Sequence, residues 1–165
     1  MEIKQEIIKI DGEKIKICAF TGHRELETNF KVELLKKEIE NLILLGVNTF
    51  LTGMAIGFDL ICAEVVLSLK EKYKNIKIVA CIPFYNQEKS YTEKDKQRYV
   101  KILSLVDEKI ILSEKYFRGC LHVRNKFMAD KADVMVAYLK KDVGGTAWTV
   151  KYFQKKYPLS KIVFL

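Results

Sequence analysis

The sequence predicts an α/β fold, with a mostly parallel β-sheet, helices on both faces and an N-terminal β-hairpin edge strand. Short apolar runs alternate with longer stretches of helical periodicity, the pattern of right-handed βαβ units. Glycine-bearing turns stand between a strand and the helix after it at residues 21–24, 52–57 and 144–146. With 165 residues, 49% of them hydrophobic and only two prolines, residues 1–165 read as one globular domain with room for a core.

Taken in order, residues 6–10 and 14–20 are β-rich runs separated by Asp11-Gly12, a hairpin signal. Residues 1–14 are therefore expected as an edge-strand extension, and residues 15–20 as the first buried strand. Residues 30–45 carry Leu34, Leu35, Ile39, Leu42 and Ile43 at helical spacing. Asn29 or Thr28 is expected as the N-cap, and Gly46 as the C-terminal glycine. A strand at 47–51 leads through the second glycine turn into a helix reaching about residue 73. The next strand, 76–82, is stopped by Pro83. Residues 84–95 form a polar, aromatic-bearing loop without periodicity, a kind of connection that often serves as a lid or binding loop. A helix at 96–105, a strand at 108–112 and a link at 114–119 follow, then a helix beginning near Arg124. Val134, Met135, Val136, Ala137 and Tyr138 are short enough for a buried strand; Gly144-Gly145 opens a helix to about Lys156, and residues 161–165 close the sheet.

Composition narrows the function. No run approaches ~18 apolar residues, so no membrane span is predicted, and residues 1–10 lack a secretory signal pattern, which places the chain in the cytoplasm. Cys18, Cys62, Cys81 and Cys120 are scattered without a C-x-x-C pair and read as reduced, mostly buried thiols. His23 and His122 are the only histidines, so no metal site is expected. A net charge of +8 raises the question of nucleic acid. The positive charge is almost all lysine interleaved with acidic residues, as in KKEIEN and KEKYKN, which describes a solvated surface and argues against nucleic acid as the partner. Arginine stands only at 24, 98, 118 and 124.

In a parallel sheet with helices on both faces, ligands sit at the carboxyl ends of the strands near a topological switch point. The three glycine turns all follow strands and so are predicted to share that edge, where backbone amides at Gly22, Gly53 and Gly145 can approach an anion. Arg24 and Arg124 supply guanidinium groups suited to phosphate. The competing reading of Arg124 is a salt bridge to Asp130 or Asp133. Asp59 is either a carboxylate that stabilises its helix dipole or a contact for a ribose hydroxyl, a base amine or a cation.

The strings TGHR, TGMAIGFDLICAE, PFYNQEKSY, RNKFMADKAD and GGTAWTV together resemble the YpsA/YoqJ-like family of the SLOG superfamily, which groups the DprA/Smf proteins with the LOG phosphoribohydrolases. The resemblance runs from residue 16 onward. It implies a Rossmann-like three-layer sandwich that binds or senses a nucleotide or nucleotide-derived small molecule, ADP-ribose-like or cyclic, with the cofactor unknown. It also implies a homo-oligomer and a role in bacterial stress or phage-related signalling. The ligand-binding positions it implies are Thr21, Gly22, His23 and Arg24 in the first turn, and Gly53, Met54, Gly57 and Asp59 in the second. Pro83, Phe84, Tyr85, Gln87 and Tyr91 follow on the loop expected to hold the base, then Arg124 and Asn125, and finally Gly144, Gly145 and Thr146. Arg124, Asn125, Met128, Ala132 and Asp133 look like the R-K-x-x-M helix and Ala-Asp pair of the LOG enzymes. Gly144-Gly145-Thr146 looks like their P-G-G-x-G-T-x-x-E segment without the proline and one glycine, and with Thr149 in place of the glutamate. A threonine cannot act as a carboxylate base, so no catalytic residue is assigned and LOG-type hydrolysis is disfavoured. Two alternatives stay open: a hydrolase using Asp59 or Glu64 instead, and DprA-like binding of single-stranded DNA.

Overall fold

Strands and helices alternate along the chain in a computed structural model that describes residues 15–157 and 161–165. The hairpin strand expected at 6–10 and the Asp11-Gly12 turn lie outside the described residues. The order is β1 (Ile17–Gly22), α1 (Val32–Leu44), β2 (Thr49–Thr52), α2 (Phe58–Leu69), β3 (Lys77–Ile82), α3 (Glu93–Leu105), β4 (Glu108–Ile111), α4 (Cys120–Lys131), β5 (Val134–Tyr138), α5 (Gly144–Lys156) and β6 (Ile162–Phe164), with a 3₁₀ turn at Gln87–Ser90.

The strands lie in the order β4-β3-β2-β1-β5-β6, and every pairing is parallel. The chain steps outward from β1 to β4, then returns to place β5 on the other side of β1, so β1 and β5 flank the topological switch point. Side chains alternate across the sheet as the period of a strand requires. Cys18 and Phe20 face one core with Leu35, Ile39, Phe58, Cys62 and Ile102 from α1, α2 and α3. Ala19 faces the other with Met128, Ala129, Val150 and Phe153 from α4 and α5. The result is a Rossmann-like three-layer sandwich.

Helix ends differ from the periodicity for local reasons. Gly46 (φ +113) does close α1: its amide donates to Ile43 O (3.0 Å) and that of Val47 to Leu42 O (3.0 Å), a Schellman arrangement. Neither Asn29 nor Thr28 caps the start; the N-cap is Lys31, without a side-chain bond. Residues 27–30 are tied into a separate turn, in which the Phe30 amide donates to Glu27 O and the Glu27 amide to the Tyr138 hydroxyl (both 3.0 Å). α3 starts earlier than expected, because Thr92 Oγ1 accepts from the Asp95 amide. α4 starts at Cys120, so Arg124 lies in its second turn and not at its beginning.

Glycines bring the first two turns into direct contact. A β-carbon on Gly22 would lie 2.3 Å from the buried Phe58 ring, and one on Gly57 (φ +81) would lie 2.1 Å from Arg24 O. The Phe58 amide donates to His23 O (3.2 Å), completing the junction. Gly57→Ala therefore meets both a disfavoured backbone conformation and an occupied site. It is expected to lower stability by more than about 1 kcal/mol, measured as a drop in the urea midpoint; an unchanged midpoint would contradict this packing.

Candidate functional site

A cleft of about 370 Å³ opens at the carboxyl edge of the sheet, over the β1/β5 switch point. Four segments wall it: residues 20–24 at the end of β1 and just beyond, Ala55 and Asp59 after β2, Tyr116 with residues 119–122, Arg124 and Asn125 after β4, and residues 143–146 after β5. The size lies within the ~300–1,000 Å³ range of small-molecule sites. The long return from β4 to β5 explains the third wall, since this connection must cross the strand ends to reach the far side of β1.

Two helix N-termini meet here, those of α4 and α5, and neither carries an acidic residue in its first turn. The opening amides of a helix have no intrahelical acceptor and lie at the positive end of its dipole. Gly144, with φ +82, lets the chain turn from β5 into α5, and both Gly144 and Gly145 are exposed. Arg24 is exposed on the cleft wall and forms no hydrogen bond or ion pair among the described residues. Thr21 (7% exposed) and Thr146 (8%) also line the cleft, and neither hydroxyl has a hydrogen-bond partner among the described residues. Among the described residues no side-chain polar atom that is itself fully buried lacks a partner, so both hydroxyls retain access to solvent.

Arg124 is placed differently from Arg24. It lies on the cleft floor, 5% exposed, with Nε donating to Asn125 Oδ1 (2.8 Å) and Nη1 to Gly53 O. The alternative salt bridges do not form. Asp130 bonds Lys126 and Tyr152, and Asp133 accepts from the Lys16 and Ile17 amides. The acidic neighbour is instead Asp59: its Oδ2 and Arg124 Nη1 lie 2.8 and 2.6 Å from the point where a β-carbon on Gly53 would sit. Burial lifts the Asp59 carboxyl to about 6 against the opposing pull of Arg124, the Ala55 amide and Arg24. Burial also draws Arg124 below its ordinary value, with Asp59 opposing.

His23 fastens two walls together, its Nε2 accepting from the Lys140 (2.9 Å) and Lys141 (3.2 Å) amides. An acceptor Nε2 is unprotonated. Burial and then Lys141 hold the imidazole below its usual value, with Glu27 opposing.

Of the sequence-predicted positions, Thr21, Gly22, His23, Arg24, Asp59, Arg124, Asn125, Gly144, Gly145 and Thr146 come together around the cleft. The loop expected to hold a base does not line it. Gln87 is buried and donates to Gly53 O and the Tyr99 hydroxyl (both 3.2 Å), and the Tyr91 hydroxyl donates to Met54 O (3.0 Å). Pro83 and Met54 are buried, Tyr85 points to a separate shallow surface with Ile111 and Leu112, and Phe84 packs behind Tyr116. Gly53 and Gly57 act beneath the cleft, by admitting Arg124 and the Arg24 backbone. Glu64 is outside it, paired with Arg98. Thr149 donates to the Gly145 carbonyl of its own helix (2.7 Å). Residues 116–122 were missed; the signal was Gly119, which at φ +93 marks the start of α4. Among the described residues no three His, Cys, Asp or Glu side chains gather as for a metal, and no helix is long and apolar enough to cross a membrane.

The pH responses of Asp59 and His23 oppose one another. Asp59 has a folded value above its unfolded one, so the folded state holds the extra proton between about pH 4 and 6, and the stability this adds is lost as pH rises. Wild type is expected to gain on the order of 1 kcal/mol over Asp59→Asn between pH 8 and pH 5, measured by urea unfolding. His23 has a folded value below its unfolded one, so its contribution is present above ~6.5 and lost as pH falls through the folded value. His23→Ala should therefore lose its disadvantage to wild type at low pH; a disadvantage independent of pH would contradict the neutral acceptor role.

UPF0398 protein YpsA of Bacillus subtilis (strain 168) is 30% identical over 131 residues, covering 72% of this chain and 73% of its own. Among solved structures, DNA processing protein A (DprA) from Streptococcus pneumoniae superposes with a TM-score of 0.63 at 17% identity, over 92% of this chain and 49% of that one. DprA from Helicobacter pylori, described for its single-stranded DNA binding mode, superposes with a TM-score of 0.60 at 17% identity, over 96% and 67%. At that identity the two structures show the shared fold alone. The sequence profile of the YspA SLOG family matches residues 13–163, and the chain belongs to that family.

Proposed function

We propose that the cleft binds, and serves to sense, a phosphate-bearing nucleotide or nucleotide-derived small molecule, ADP-ribose-like or cyclic. The observation that carries this reading is Arg24, a guanidinium that forms no ion pair among the described residues, on the wall of a cleft into which α5 directs an N-terminal turn free of acidic residues. Amides at Gly144, Gly145 and Thr146 would donate to phosphate oxygens, and Arg24 would add a charge-assisted pair. The open hydroxyls of Thr21 and Thr146 would supply neutral contacts that a mobile surface anion does not need.

A thermal-shift and urea panel of nucleotides, cyclic dinucleotides, NAD and ADP-ribose derivatives tests it. A ligand at ~100 Kd is expected to stabilise the fold by about 2.7 kcal/mol, and Arg24→Ala should abolish most of that gain with little change in unliganded stability. No stabilisation across the panel, or an equal gain in Arg24→Ala, would overturn the assignment.

A second reading, binding of single-stranded DNA, is favoured by the net charge of +8 and the likeness to a DprA described as binding it. It requires an affinity that falls steeply with salt, so oligonucleotide binding between 50 and 200 mM salt separates the two. Small-ligand binding with no oligonucleotide retention is the expected result.

A further inference from the structure

We infer that the base of the bound nucleotide stacks on an aromatic lip formed by Tyr116 and His122, away from the 84–91 loop; this rests on the phosphate-binding reading above. Both residues line the cleft and both are exposed, Tyr116 to 66%. A tyrosine left so far out of the core adds little to folding, yet each ring is held in place from behind. Phe84 meets Tyr116 edge-to-face, with ring centroids 5.4 Å apart at 85°. Trp148 meets His122 at 5.0 Å and 74°, and Trp148 in turn stacks on Tyr152 at 5.2 Å and 12°. Edge-to-face and offset contacts of this kind are favourable and fix ring orientation. The cleft thus has two exposed planar groups, each in contact with a second aromatic ring.

The placement also follows from what the other walls lack. The turns after β1 and β5 contribute Arg24, hydroxyls and glycine amides, which suit phosphate and ribose. The 84–91 loop has turned Gln87 and Tyr91 inward, where their donors hold the carbonyls of Gly53 and Met54, and neither residue lines the cleft. Among the residues lining the cleft, only the segment after β4 presents an exposed aromatic pair. Aromatic stacking tolerates any base because every base has a π-face, so this lip would favour nucleotides as a class over ribose phosphates without selecting among bases.

The test is calorimetric affinity for AMP, GMP, CMP and UMP against ribose 5-phosphate, with fluorescence of Trp148, the single tryptophan of the chain, as a second readout. The nucleotides are expected to bind roughly 10- to 100-fold more tightly than ribose 5-phosphate and to change Trp148 emission through His122. Tyr116→Ala and His122→Ala should each reduce that preference while leaving ribose 5-phosphate affinity unchanged, and Tyr116→Phe should keep it. Both residues are exposed, so the variants are expected to fold, which circular dichroism checks. Equal affinities for nucleotides and ribose 5-phosphate, or variants that weaken both alike, would overturn the aromatic lip while leaving the phosphate site standing. Binding of none of these, nor of pyrophosphate, would overturn both.

Discussion

The Gly53 carbonyl, at the end of β2, is the point on which the ligand edge of this molecule depends. It accepts from Arg124 Nη1 on α4 and from Gln87 Nε2 on the loop after β3. One carbonyl therefore ties the layer carrying α4 to the layer carrying α2, across the end of the sheet. The contact exists because Gly53 has no side chain: a β-carbon would fall within 2.8 Å of both the Arg124 guanidinium and the Asp59 carboxylate. Opposite charges placed together out of water are tolerated only where each has a partner. The Ala55 amide on Asp59 and the Asn125 and Gly53 oxygens on Arg124 meet that requirement.

This arrangement divides the two arginines of the cleft. Arg124 is anchored among protein acceptors and faced by Asp59, so its charge is largely balanced internally. Arg24 forms no ion pair among the described residues, although it too acts on the Asp59 carboxyl, and its turn is held by the Phe58 amide on His23 O, by the approach of Gly57 and by the Lys140 and Lys141 amides on His23 Nε2. A structural cation on the floor and, on the wall, one without an ion pair among the described residues would give a cleft whose excess positive charge is local, even though most of the net +8 is spread over lysines.

Much of the fold was legible from periodicity, because the elements carrying it are short and strongly patterned. Val134–Tyr138 is buried at every position, and its apolar run has no competing helical reading. Gly144-Gly145 marks the start of α5 because the chain turn there needs positive φ at Gly144. The convergence of the first and last turns followed from strand order in a parallel sheet. The roles within the cleft were less legible. Arg124 reads alike in sequence whether its guanidinium meets a ligand or the Gly53 carbonyl, since the difference is set by a contact 71 residues away. The 84–91 loop resembles a binding loop because it is polar and aromatic, yet its polar groups turn inward to satisfy Gly53 and Met54. Residues 116–122 escaped notice because they enter the cleft only through the return of the chain from β4 to β5, and that topology is not written in local composition.

The central claim is that amides of the α5 turn, beside Arg24, form the anion-accepting surface of the cleft. Titration of the ¹⁵N-labelled protein with inorganic pyrophosphate, followed by amide chemical shifts, tests it most directly. The account predicts saturable shifts concentrated at Gly144, Gly145 and Thr146 and in residues 21–24. Shifts confined to the lysine-rich helix faces, with those amides unmoved, would contradict it.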